Sequence, residues 1–230
     1  MKIKSFALAG VGTMILTGAA SAAFTGIATE LYVGDGWTDN GVTNYDTTVF
    51  DTYRVYADFD GQDAEDGVLS VFGVAGAAMF MTSGDGAFHN DPLGGLTAPL
   101  DIRPAIWSNQ WDTYVTINTT TSNETVGLSP DFEIETNSLA SDWSSENAGW
   151  FVTPDQAWGK ADWSTEHPGR VMLAQFTVAE GAGIEGIINI LDRATSTEIR
   201  GLRVTSEVTP TPGALALLGL AGLAGRRRRR

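Results

Sequence analysis

The sequence predicts an all-β, antiparallel sandwich. Three observations carry this. Runs of alternating apolar and polar residues recur through the body of the chain, as half-buried strands require. Helical periodicity is scarce. The last strand-like runs follow one another about every 12 to 14 residues across Gly- and Asp-containing joints, the spacing of packed antiparallel sheets.

The elements follow in order. In "YRVYADF", Tyr53, Val55, Ala57 and Phe59 fall on one face, with Arg54, Tyr56 and Asp58 on the other. "GVLSVFGVAG" (67–76) follows an acidic turn, so the two runs are expected to pair as a hairpin. "AAMFMT" (77–82) runs into the turn "SGDG". Residues 85–110 carry prolines and paired glycines and no period, which predicts a long surface loop. "DTYVTINTTT" (112–121) sets Tyr114, Thr116 and Asn118 against Val115 and Ile117. Residues 131–160 mix loops with a short strand, and "GWFVTP" (149–154) is another. "RVMLAQFTVA" (170–179), "IEGIINILD" (184–192) and "STEIRGLRVTS" (196–206) close the series. Jelly-roll, immunoglobulin-like and cohesin-like arrangements all accommodate this pattern.

The two ends have a different character. Residues 1–23 have the three parts of a secretory signal peptide: Lys2 and Lys4, an apolar core from Phe6 to Ala20, and the small residues Ser21, Ala22 and Ala23. As a helix the core reaches about 22 Å, short of a ~30 Å hydrocarbon layer. Cleavage is expected before Phe24 or one residue earlier. The other end reads "TPTPGALALLGLAGLAGRRRRR". Its prolines favour an extended, semi-rigid stalk. The apolar stretch Gly213 to Gly225 would span about 20 Å as a helix, a marginal crossing weakened by its glycines. Arg226 to Arg230 would hold its end on the cytoplasmic side.

This order of parts, over Thr209 to Arg230, resembles the PEP-CTERM sorting signal of bacterial exopolysaccharide-associated proteins. Where that family usually has Pro-Glu-Pro, this chain has Pro210-Thr211-Pro212. The resemblance implies processing by an exosortase, a membrane protease/transpeptidase, at a motif comprising Pro210, Thr211, Pro212 and Gly213. It implies an exported protein, held transiently in the inner membrane by a C-terminal transmembrane helix. The destination would be the cell surface, outer membrane or extracellular matrix, with exopolysaccharide as a partner. The expected organisation is a signal peptide over 1–23, a sandwich over 24–208 and a sorting tail over 209–230.

Composition narrows the function. The chain has 14 basic and 28 acidic residues. The two ends hold seven of the basic residues and none of the acidic ones, which leaves the body seven against 28, a net charge of −21. Such a body repels nucleic acid and anionic lipid. Cysteine is absent, which removes disulfides, thiolate catalysis and cysteine-based metal sites.

Acid–glycine turns are the candidates for metal chemistry. "DFDGQDAEDG" supplies Asp58, Asp60, Asp63, Glu65 and Asp66 within nine positions. Calcium takes six to eight hard oxygen ligands, so it is the candidate cofactor. The spacing is not that of an EF-hand. With Asp58 and Asp60 at positions 1 and 3, position 5 is Gln62, the glycine falls at 4, and position 12 is Leu69. The competing expectation is a solvated hairpin turn. Weaker versions occur at residues 34–41 and 83–86.

Seven tryptophans are many for this length. If loop tryptophans bind sugar, Trp107, Trp111, Trp158 and Trp163 are the candidates; otherwise they fill the core. His89 and His167 are the only histidines, and neither G-x-S-x-G nor H-E-x-x-H occurs. The leading expectation is therefore a non-catalytic exported surface or matrix protein. The alternative is a carbohydrate-binding module stabilised by calcium.

Overall fold

The computed structural model describes residues 24–32, 50–61, 63–90, 94–98, 111–118, 126–165 and 167–206. They form two antiparallel sheets packed face to face, the sandwich that the alternation predicts. The signal-like and sorting-like ends, with the motif at Pro210, Thr211, Pro212 and Gly213, lie outside the described residues.

The first sheet has four strands: β1 (Phe24–Leu31), β2 (Phe50–Phe59), β5 (Tyr114–Val115) and β9 (Arg170–Ala179), in the order β1-β2-β9-β5. β2 obeys the predicted alternation. Val55, Ala57 and Phe59 enter the core, Tyr53 packs against it, and Tyr56 joins a small apolar cluster apart from the main one. β9 is buried along nearly its whole length. Its register against β2 shifts between Val55 and Tyr56, which lets the adjacent Leu173 and Ala174 both enter the core.

The second sheet is built around β10 (Ile184–Asp192). On one side it pairs with β11 (Glu198–Thr205). On the other side β3 (Val68–Phe72) and β4 (Met79–Ser83) share its length, one half each. Beyond them, β8 (Gly149–Phe151) pairs with β3, and β7 (Trp143–Ser145) pairs with β4. β6 (Gly127–Leu128) pairs with β8. β3–β4 and β7–β8 are thus two broken strands, and their breaks lie side by side. The Gly73 amide donates to the Ala148 carbonyl across them at 2.9 Å.

Asn189 closes these breaks from the middle of β10. Its Nδ2 donates to the carbonyls of Phe72 and Ala77, at 2.8 Å each. Its Oδ1 accepts the amide of Gly201 at 2.9 Å. Gly201 lies at φ +72, inside a bulge that sets Arg200 and Gly201 opposite Asn189. One fully buried side chain therefore bonds backbone groups on both neighbours of β10.

Trp150 joins the two sheets. It projects from β8 into the core and donates through Nε1 to the carbonyls of Thr116 and Leu173, at 3.0 and 3.1 Å. Its ring meets Phe132 edge-on at 5.9 Å. Phe132 belongs to α1 (Phe132–Glu135), a single helical turn.

Two expectations are corrected. The hairpin between 53–59 and 67–76 does not form: β2 and β3 lie in opposite sheets, and the acidic turn is a crossover. β2 instead pairs with β9, far along the chain, because both need a partner carrying an apolar inner face. The stretch 85–110 is also more than a surface loop. Phe88 is buried, with its ring centroid 5.3 Å from that of Phe176, and Ala98 is buried in the smaller apolar cluster.

Candidate functional site

The acidic turn between β2 and β3 separates into two environments. Asp58 is still on β2, and its position in the alternation turns it to the outer surface of the first sheet. There Arg170 donates to it through Nε at 2.6 Å and to Glu30 through Nη1 at 2.5 Å. The same guanidinium lies 4.8 Å from the centroid of the Tyr56 ring. Burial pulls the Arg170 pKa down, but the hydrogen bonds and charges of Asp58 and Glu30 more than offset this and raise it. Asp58 is thus part of a brace across β1, β2 and β9.

Glu65 is likewise engaged. Lys160 reaches Oε1 at 2.5 Å, and Arg193 reaches Oε2 at 3.2 Å. Hydrogen bonds from those two groups hold its carboxyl below the usual range. Arg193 also donates to the carbonyls of Gln156 and Pro154, which ties the 153–160 loop to the end of β10. The strand entering β3 meets this loop closely. The Gly67 and Lys160 backbones form a bridge, and the Ala161 amide donates to the Asp66 carbonyl at 2.8 Å.

Asp66 differs from its neighbours because its side chain is buried. Oδ2 accepts the Asp63 amide at 3.3 Å, while Oδ1 is buried without a partner. Burial pushes the Asp66 carboxyl above the ordinary range. The Asp63 amide opposes this, and the charges of Asp60, Asp63 and Asp192 add to it. Asp192, the last residue of β10, is a residue that sequence reasoning missed. It too is buried: Oδ1 accepts the amide and hydroxyl of Thr195 at 2.8 Å, and Oδ2 has no partner. The two chain segments run side by side here, with the Arg193 amide donating to the Gly67 carbonyl at 3.0 Å. The signal that could have exposed Asp192 is a carboxylate closing the apolar run "IINILD".

Among the described residues no three His, Asp or Glu side chains converge as a metal-holding group. The five acids of the turn have different surroundings. Asp58 and Glu65 face cationic side chains, Asp60 and Asp63 are exposed, and Asp66 turns inward beside Asp192.

The candidate tryptophans are dispersed. Trp111 is buried, Trp158 is half-buried against the core, and Trp163 is 42% exposed. Trp107 lies outside the described residues. Trp163 is thus the most exposed of the described candidates.

A second constellation went unseen in the sequence because β1, β2, β5 and β9 assemble it from distant residues. On the outer surface of the first sheet, the Arg54 guanidinium lies 3.5 Å from the Tyr32 ring centroid, and its Nε donates to Gln175 Oε1 at 2.9 Å. Gln175 in turn donates to the Asp112 carbonyl at 2.9 Å. The Tyr114 hydroxyl reaches the same Oε1 at 3.5 Å, and burial pushes its pKa up to about 12. The His167 ring lies 5.1 Å from Tyr56. His89 sits elsewhere, 4.7 Å from the Phe50 ring. Asn118, a match to a glycosylation acceptor pattern, is turned inward. Its Nδ2 donates to the Lys160 carbonyl at 2.7 Å, and its Oδ1 accepts the Met172 amide at 3.1 Å.

No protein-family model, curated protein or solved structure shows significant similarity to the chain.

Proposed function

We propose that the chain is an exported, non-catalytic β-sandwich, processed at its C-terminal signal and delivered to the cell surface or extracellular matrix. The observation that supports this is the order of parts. A basic, apolar, small-residue leader precedes the body, and a Pro-Thr-Pro stalk, a short apolar stretch and five arginines follow it. The described sandwich, from β1 (Phe24–Leu31) to β11 (Glu198–Thr205), lies between these two parts of the sequence. In this reading the membrane sorting enzyme is the catalytic partner, and this chain is its substrate. Exopolysaccharide is the matrix component the body would meet.

Expression of the full chain in a bacterium that carries a matching sorting enzyme tests the reading. Mass spectrometry of the surface-exposed product is expected to show residues 1–23 and Arg226 to Arg230 removed. A surface product that retains the five arginines overturns it.

A further inference from the structure

Two buried carboxylates at one rim of the sandwich each hold one oxygen in use and one in reserve. Asp66 Oδ2 is bound by the Asp63 amide, and Asp192 Oδ1 by Thr195. Asp66 Oδ1 and Asp192 Oδ2 are buried without partners. The Arg193–Gly67 backbone bond and the Asp192–Val68 register hold these segments against one another. A buried carboxylate oxygen with no donor is costly, because it has lost water and gained nothing in return. Two side by side also repel.

Nearby cations do not resolve this. Lys160 and Arg193 both direct their charge to Glu65. Counting Asp63, Glu65, Asp66 and Asp192 against those two leaves a net charge of about −2. Oxygen is the only donor type offered, which selects a hard cation.

We propose that Asp66 and Asp192 form a binding site for one hard divalent cation of the calcium type, through their two unpartnered oxygens. The site joins the end of the acidic crossover to the end of β10, and so ties the entry of β3 to the exit of its neighbour. It excludes Asp58 and Glu65, which arginine and lysine already hold. Calcium takes six to eight oxygens, so these two side chains supply part of the shell. The site is independent of the export reading, because it concerns only the folded body.

Thermal unfolding of the full chain, stripped with EDTA, tests the proposal. Calcium chloride at about 100 times Kd is expected to raise Tm by roughly 5–10 °C above sodium chloride at equal ionic strength. Asp66→Asn and Asp192→Asn should each abolish that increment, whereas Asp58→Asn should keep it. A calcium increment that survives in both Asn variants overturns the site. So does the shared-proton outcome, in which acidification stabilises the chain, both Asn variants flatten that response, and calcium has no effect. In that case a carboxyl with raised pKa adds stability that is full below its unfolded value and lost as pH rises. Should the Asn variants fail to fold, isothermal titration of the unmodified chain decides: absence of calcium binding overturns the proposal.

Discussion

Asn189 holds the paired breaks of the second sheet from within β10. It sits fully buried in β10 and makes three hydrogen bonds, two to carbonyls in the β3–β4 break and one from the bulge in β11. Phe72 still pairs with Gly149, and the Ala77 carbonyl also accepts the Val74 amide at 3.3 Å, so the side chain adds to these bonds, while the Gly201 amide sits in a bulge and relies on Oδ1. Replacing one partner of a buried hydrogen bond costs about 1–3 kcal/mol, because the other loses its only solvation. We expect Asn189→Ala to lower unfolding free energy by about 2–4 kcal/mol. Urea denaturation measures it, and a loss below about 1 kcal/mol would show that the breaks are satisfied some other way. Asn189→Asp should fare no better: it keeps the acceptor for Gly201 but offers no donor to Phe72 or Ala77, and it adds a buried charge. This residue was legible in outline. An asparagine inside "IINILD" is a polar group in an apolar strand, and such a group must have partners.

At the scale of the element, the paired breaks depend on glycine for two distinct reasons. A Cβ on Gly73 would lie 2.2 Å from the Ser145 carbonyl oxygen, and backbone cannot step aside as a side-chain tip can. Gly76 has open space around it but sits at φ +80. We expect Gly73→Ala to cost about 2–4 kcal/mol and Gly76→Ala about 1–2 kcal/mol. Equal losses in parallel urea melts would argue that conformation alone, rather than close approach, sets both positions. These breaks also show where sequence reading stops. Strand identity follows from alternation, so β2, β9, β10 and β11 lie where the pattern puts them. Pairing depends on which apolar faces meet across the core, and neighbouring runs carry no signal of it. That is why the acidic turn was expected to close a hairpin when it crosses between sheets. The acids of the turn separate in the same way. Acids close in sequence were grouped together, yet alternation sends Asp58 outward to Arg170, while Asp66 turns inward to a residue from another strand.

At the scale of the whole molecule, charge is the property most fully legible, since it needs no geometry. A body of seven basic and 28 acidic residues repels itself in every compact arrangement. The structure moderates this locally by spending its few cations where acids crowd. Arg170 takes Glu30 and Asp58, Lys160 and Arg193 take Glu65, and Arg203 takes Glu185. Salt acts on both terms in opposite directions. It weakens the pairs, but an exposed pair such as Arg203–Glu185 is worth only about 0–1 kcal/mol. It also screens repulsion among the excess acids, which act over distances comparable to a Debye length of about 10 Å at ~0.1 M. With four acids to each base, repulsion outweighs pairing. Raising sodium chloride from ~20 mM to ~0.5 M, in the presence of EDTA, is therefore expected to raise Tm by about 3–6 °C. Potassium chloride should match it, because screening depends on ionic strength and not on the fit of an ion. A Tm that stays flat or falls across this range would mean that the pairs dominate. A rise with sodium and none with potassium would point instead to an ion held at a specific place.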